Sequence, residues 1–318
     1  MSITTARLLV RDGVQILAAT FGEGNAGNLT INASESVEVI QGSGLRATVG
    51  EDATGDGGDV TIDTPRLVVS GRSLVSATTS AIGDGGDLTI NTAHLVARDV
   101  AFISTVSLGQ GNAGNLTINA SESVEVHGGS GLLSGVGLEA TGDGGDLSIT
   151  TARLLVRDGA QINASTVGEG NAGNLTINAS ESVEAIGQRS FLAASVNSGA
   201  RGDGGDLSIN TSRLLVRDGA QILASTFGEG NAGNLTINAS ESVEAIGQGS
   251  ILAASVEPGA RGNGGDLSIT TARLLVRDGA EIRAATFGEG NAGNLTINAS
   301  ESVEVSEGDL GGFSPTRS

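Results

Sequence analysis

Apolar and polar residues alternate in short bursts along this chain, and the bursts return at nearly constant spacing. In one such stretch Leu147 and Ile149 flank Ser148, and Leu154 and Val156 alternate with Leu155 and Arg157. Ile162, Ala164 and Thr166 then alternate with Asn163 and Ser165. Period-two alternation over runs this short predicts β-strands with one inward and one outward face. Thr150 to Arg153 form the first corner between them and Asp158-Gly159 the second. Helix signals are missing, because β-branched residues abound and Gly interrupts every window.

Each set of strands follows a glycine turn such as Gly170-Asn171-Ala172-Gly173-Asn174. The Asn or Asp that closes the turn recurs at Asn28, Asp59, Asp87, Asn115, Asp146, Asn174, Asp206, Asn234, Asp266 and Asn294, with gaps of 31, 28, 28, 31, 28, 32, 28, 32 and 28 residues. A period this regular predicts a solenoid. The expected fold is all-β: a right-handed three-sheet parallel β-helix of about 11 coils of 28–32 residues, with no capping helix. Right-handedness rests on the general preference of parallel crossovers. The first inward column is Leu in most coils and the second is Ile from Ile3 to Ile297. One coil buries nothing alone, so stacking must create the core. At about 4.8 Å per coil the rod would be roughly 50 Å long.

Residues 1–305 read as a single repeat domain and 306–318 as an irregular tail in which the third strand is lost. Met1 stands where a repeat has Leu, so the chain opens in mid-repeat and reads as an excised piece or a truncated frame. The first residues have neither the basic nor the apolar region of a signal peptide. Uncapped coil edges would leave unpaired strands, and end-to-end self-association is the expected consequence.

Two coil types alternate. The short type presents Arg outward, as in Arg153 and Arg157; the long type presents Glu, as in Glu181 and Glu184. Stacking identical coils would align like charges, whereas alternation sets Arg beside Glu. The exception is Asp59 to Gly114, two short coils in succession, where His94 replaces the first Arg.

Composition agrees with a thin stacked core. The 318 residues include 51 Gly, 3 Pro and 6 Phe, with no Cys, Trp or Tyr. No apolar run is long enough to span a membrane. Without Cys there are no disulfides or thiolate metal sites. The net charge of −19 repels phosphate backbones and argues against nucleic-acid binding.

Gly-Asn-Ala-Gly-Asn-Leu-Thr-Ile-Asn, Gly-Asp-Gly-Gly-Asp-Leu-Ser-Ile and Ala-Arg-Leu-Leu-Val-Arg-Asp-Gly-Ala-Gln-Ile resemble the repeats of filamentous-haemagglutinin-like exoproteins, the passengers of two-partner secretion. The resemblance covers essentially residues 1–305. It implies a β-helical shaft, extracellular or at the cell surface in the full-length parent, serving adhesion or surface structure. Its implied partners are an outer-membrane transporter and host or matrix surfaces. The family's amino-terminal secretion domain and signal peptide are not in this sequence.

Candidate chemistry is sparse. Carbohydrate-active β-helix enzymes need clustered, non-repeating acids and bases in a groove. Here nearly every Asp and Arg is a repeat position, and the two histidines, His94 and His127, are isolated. No catalytic residue is assigned and the chain reads as a non-enzyme. Asp143-Gly144-Gly145-Asp146 is similar to the turns of calcium-binding β-rolls, but the motif comes once per coil and alternates with Asn171-Ala172-Gly173-Asn174, and turn structure is the favoured account of it. The strongest calcium candidates are Asp56, Asp59, Asp84 and Asp87, where two acidic coils adjoin. A candidate binding surface is the outward hydroxyl ladder Thr30, Thr61, Thr89, Thr117, Ser148, Thr176, Ser208, Thr236, Ser268 and Thr296. Such arrays occur on ice-binding β-helices, and Thr also simply suits a solvated strand face. Arg201-Gly202-Asp203 spells an integrin-type tripeptide but occupies a turn that varies from coil to coil. The sequons of the glycine turns, such as Asn28-Leu29-Thr30, are turn residues and not glycan sites.

Overall fold

A computed structural model describes residues 1–307. Among these residues there is no helix, and every strand pairs in parallel with its equivalents in neighbouring coils. The chain is a β-solenoid in which each residue meets its counterpart one period away.

The strands expected on either side of the first corner are one hydrogen-bonded strand. Leu147–Arg157 is 11 residues long, and Leu175–Ile186 in the following coil is 12. The bend is made by a bulge. Thr151 pairs with Ala179 and Arg153 with Ser182, so Ala152 faces both Ser180 and Glu181. A bulge bends the strand without ending its pairing. The long strands together form a 12-stranded sheet folded along this corner. Its count includes one split: in the third coil the strand divides into Val60–Asp63 and Arg66–Ser70. Pro65 stands there in place of the usual Ala and has no N–H to donate. Its carbonyl still accepts from the N–H groups of Ala93 and His94, at 3.0 and 3.1 Å.

The third expected strand is shorter than its alternation suggested. It comprises three residues per coil, from Gln15–Leu17 to Glu281–Arg283, in a 10-stranded sheet. Beyond it coils meet only at single bridges, such as Thr166 with Val196 and Glu169 with Arg201. The third side is therefore held as much by isolated backbone hydrogen bonds as by a continuous ladder.

The inward columns are where the alternation placed them. Leu175, Ile177, Val183, Ala185, Leu192 and Ala194 are all completely buried. Stacked, these columns make one continuous apolar core along the rod. The same columns are exposed in the last described coil, at Leu295, Ile297, Val303 and Val305, because nothing among the described residues packs on their far side. Of the expected tail, Ser306 extends the last strand, and residues 308–318 lie outside the described residues.

Candidate functional site

The glycine turn is built by close backbone approach between coils. A Cβ on Gly173 would lie 2.0 Å from the Gly145 carbonyl oxygen, so only Gly fits. Between these glycines run two side-chain ladders. Asp146 Oδ1 accepts the backbone N–H of Asn174 at 2.8 Å, and Asn174 Oδ1 accepts that of Asp206 at 2.9 Å. The parallel ladder runs through Asp143, Asn171 and Asp203 at 2.9 and 2.8 Å. These turn side chains satisfy backbone donors that would otherwise face solvent.

The four calcium candidates fall into these two ladders. Asp56 Oδ1 accepts from Asp84 N–H at 3.1 Å, and Asp59 Oδ1 from Asp87 N–H at 3.0 Å. Asp84 and Asp87 in turn accept from Asn112 and Asn115, at 2.7 and 2.8 Å. Asp84 and Asp87 thus commit Oδ1 to the stack, and Asp56 and Asp59 commit both oxygens, since their Oδ2 atoms accept from Asn25 and Asn28 Nδ2 at 3.3 and 3.4 Å. Among the described residues no three His, Cys, Asp or Glu side chains converge as a metal site.

The hydroxyl ladder is in direct register from coil to coil, as in Thr117, Ser148, Thr176 and Ser208. Two positions on, the amides interlock: Asn210 Nδ2 donates to Asn178 Oδ1 at 2.9 Å, and Asn238 Nδ2 to Asn210 Oδ1 at 3.0 Å. Along the bulged corner this wall borders a shallow open groove of about 620 Å³, lined by Asn210, Asn238, Thr271, Ser240 and Ser300 over a floor of Ala239 and Ala299. The groove continues past Thr150, Asn178 and Ser180. Its lining residues are Asn, Ser, Thr and Ala, uncharged throughout, with no general acid or base.

Charge pairing differs in detail from the expected Arg–Glu alternation. In three short coils the first Arg meets the first Glu of the next: Arg7 meets Glu35, Arg153 meets Glu181 at 2.8 Å and Arg273 meets Glu301 at 3.4 Å. The second Arg instead pairs with its own turn, Arg217 with Asp218 at 3.1 Å and Arg277 with Asp278 at 3.6 Å. The register past the corner is responsible, since Glu184 lies opposite Leu155 while Arg157 lies opposite Ile186. His94, in the Arg position, contacts Glu122 at 3.3 Å and Ser123 Oγ at 3.1 Å. His127 stands in register with Arg157.

The turn containing Arg201-Gly202-Asp203 belongs to the same scaffolding. Arg201 pairs with Glu229 at 3.1 Å, and Asp203 Oδ1 accepts the N–H of Asn231 at 2.8 Å. A ladder of alternating sign, Glu169, Arg201, Glu229, Arg261 and Glu289, runs along this edge. Sequence reading missed it because these positions vary in the first half of the chain, where Thr54, Ile82 and Gln110 occupy the column.

A second missed feature breaks the repeat. On the outer face of the short-strand sheet, Ala193, Leu223 and Ala253 are buried under Phe191, Phe227 and Ile251. They border a recess of about 270 Å³ with Asn163, Asn197 and Gln221 at its rim. The signal was present as Phe191, at an outward position held by Gln161 and Gln221 in the adjoining coils, and as Leu223 in the column of Asn163 and Ala193. Nearby, Glu257 is buried and pairs with Arg283 at 2.9 Å, whose guanidinium lies 5.3 Å from the Phe287 ring centre.

The haemagglutinin repeat family matches this chain over residues 24–128, 105–171, 172–231 and 232–307. No curated protein and no solved structure matches it.

Proposed function

The chain belongs to the haemagglutinin repeat family, and from that premise we propose that it is a length of adhesive shaft in a secreted or cell-surface exoprotein, without catalytic activity. The observation that carries the reading is the uniformity of the stack. Backbone ladders, turn side chains and core columns repeat coil after coil, as a load-carrying spacer requires. Most acids and bases occupy repeat positions, many of them joining coils through the turn ladders and ion pairs, and among the described residues no three His, Asp or Glu side chains converge as a metal site.

In this reading the parent protein crosses the outer membrane through a two-partner transporter and displays the shaft to host or matrix surfaces. No helix among the described residues is long and apolar enough to cross a membrane. The test is adhesion of beads coated with the folded chain to cell and matrix surfaces. Folded chain should hold the beads and heat-denatured chain should not. Equal retention by both, or hydrolysis of a polysaccharide panel by the folded chain, would overturn the proposal.

A further inference from the structure

Beyond the corner, the folded sheet presents three outward columns. In a short coil these are Arg153, Leu155 and Arg157; in the next long coil they are Ser182, Glu184 and Ile186. The arginines have partners within the molecule, Arg153 in Glu181 and Arg157 in Asp158. The central glutamates do not: Glu38, Glu125, Glu184, Glu244 and Glu304 make no ion pair among the described residues. Glu184 lies instead between Leu155 and Leu215, and Glu244 between Leu215 and Leu275. This face therefore combines unpaired anions, outward aliphatic side chains and flanking guanidiniums, repeated every two coils from the Leu116 coil onward.

Such a face is complementary to itself. Set against the same face of a second copy and offset by one coil, each short coil from Leu147 onward opposes a long one; the two successive short coils between Asp59 and Gly114 fall outside the match. The partner's central glutamate then falls over Leu155, between Arg153 and Arg157. The match holds whether the two rods run parallel or antiparallel, because the glutamate is central and the arginines flank it on both sides. With short coils facing short coils, Arg would oppose Arg and Glu would oppose Glu. The competing internal pairs are surface ion pairs, which contribute little and can be shared.

We propose that this face joins two copies of the chain side by side, with Glu184 and Glu244 of each copy seated between the arginines of the other. The partner is a second copy because the charge pattern fits its own complement at a one-coil offset. A slip of two coils restores the same match, so the association sets lateral contact firmly and axial stagger loosely. It is independent of adhesion to foreign surfaces, which the bead assay reads separately.

Sedimentation velocity combined with small-angle scattering on the full chain, at low and high salt, tests this. At low salt a dimer of doubled cross-section and little added length is expected, dissociating as salt rises. E184R/E244R should weaken dimerisation at least about tenfold, and E184Q/E244Q should weaken it less while circular dichroism shows both folded. Strictly monomeric particles at low salt, growth in length at constant cross-section, or undiminished association of E184Q/E244Q would each overturn the proposal.

Discussion

The side-chain Oδ1 of Asn174 accepts the backbone N–H of Asp206, 2.9 Å away and one coil further along the rod. Its Nδ2 donates in the other direction to Asp146 Oδ1 at 3.0 Å. One residue thus ties three successive coils, and a neutral amide separates two carboxylates. Asn174→Ala should cost about 1 kcal/mol through the lost acceptor. Asn174→Asp keeps that acceptor but aligns three like charges. Its cost should fall as salt is added, whereas that of the Ala variant should not. Urea unfolding at two ionic strengths reads both.

What a glycine of the turn permits is set by the coil that precedes it: a Cβ on Gly168 would meet the Ala140 carbonyl oxygen at 2.3 Å, and Gly22 holds the same position in the first coil. A Cβ on Gly173 meets backbone oxygen at 2.0 Å, whereas one on Gly22 meets nothing within 4 Å. Gly173→Ala must push two coils apart and should cost more than about 3 kcal/mol, by forced displacement of close-packed backbone. Gly22→Ala should stay within about 0.5 kcal/mol of the parent. Comparable losses from both substitutions in a thermal melt would contradict the account of the turn.

Thr166 is fully buried and its hydroxyl has no hydrogen-bond partner. It bridges Val136 on one side and Val196 on the other. Thr166→Val should therefore stabilise the rod, by about 1 kcal/mol, because it removes an unsatisfied buried group at a column that already accepts Val. A lower melting midpoint for this variant would show that the hydroxyl has a role in the stack.

Asp56 and Asp84, with Asp59 and Asp87, set carboxylates next to one another where the ladders otherwise interpose Asn. Asp84→Asn combined with Asp87→Asn should raise the melting midpoint at low salt and make little difference at high salt. Calcium at millimolar concentration should raise the parent's midpoint no further than sodium chloride of equal ionic strength. A calcium-specific rise that disappears in the double variant would instead identify these aspartates as ligands.

Much of this molecule was legible one coil at a time. Alternation assigned Leu147, Ile149, Leu154 and Val156 to the inside, and the recurring glycine turn set the coil length. Both follow from local rules, since side-chain direction in a strand has period two and a tight turn restricts its residues. What sits beside what in the next coil was not legible. The single extra residue at the corner of a long coil is taken up in the bulge, and the register beyond it sets Glu184 against Leu155 and Ile186 against Arg157. The same bulge forms the groove beside Asn178 and Asn210. Likewise Leu223 points outward by alternation yet is buried, because Phe191 and Phe227 from neighbouring coils close over it. The sequence by itself determined the coil and its inward face. Only the tertiary structure decided the outward neighbours, because those depend on the register between coils of unequal length.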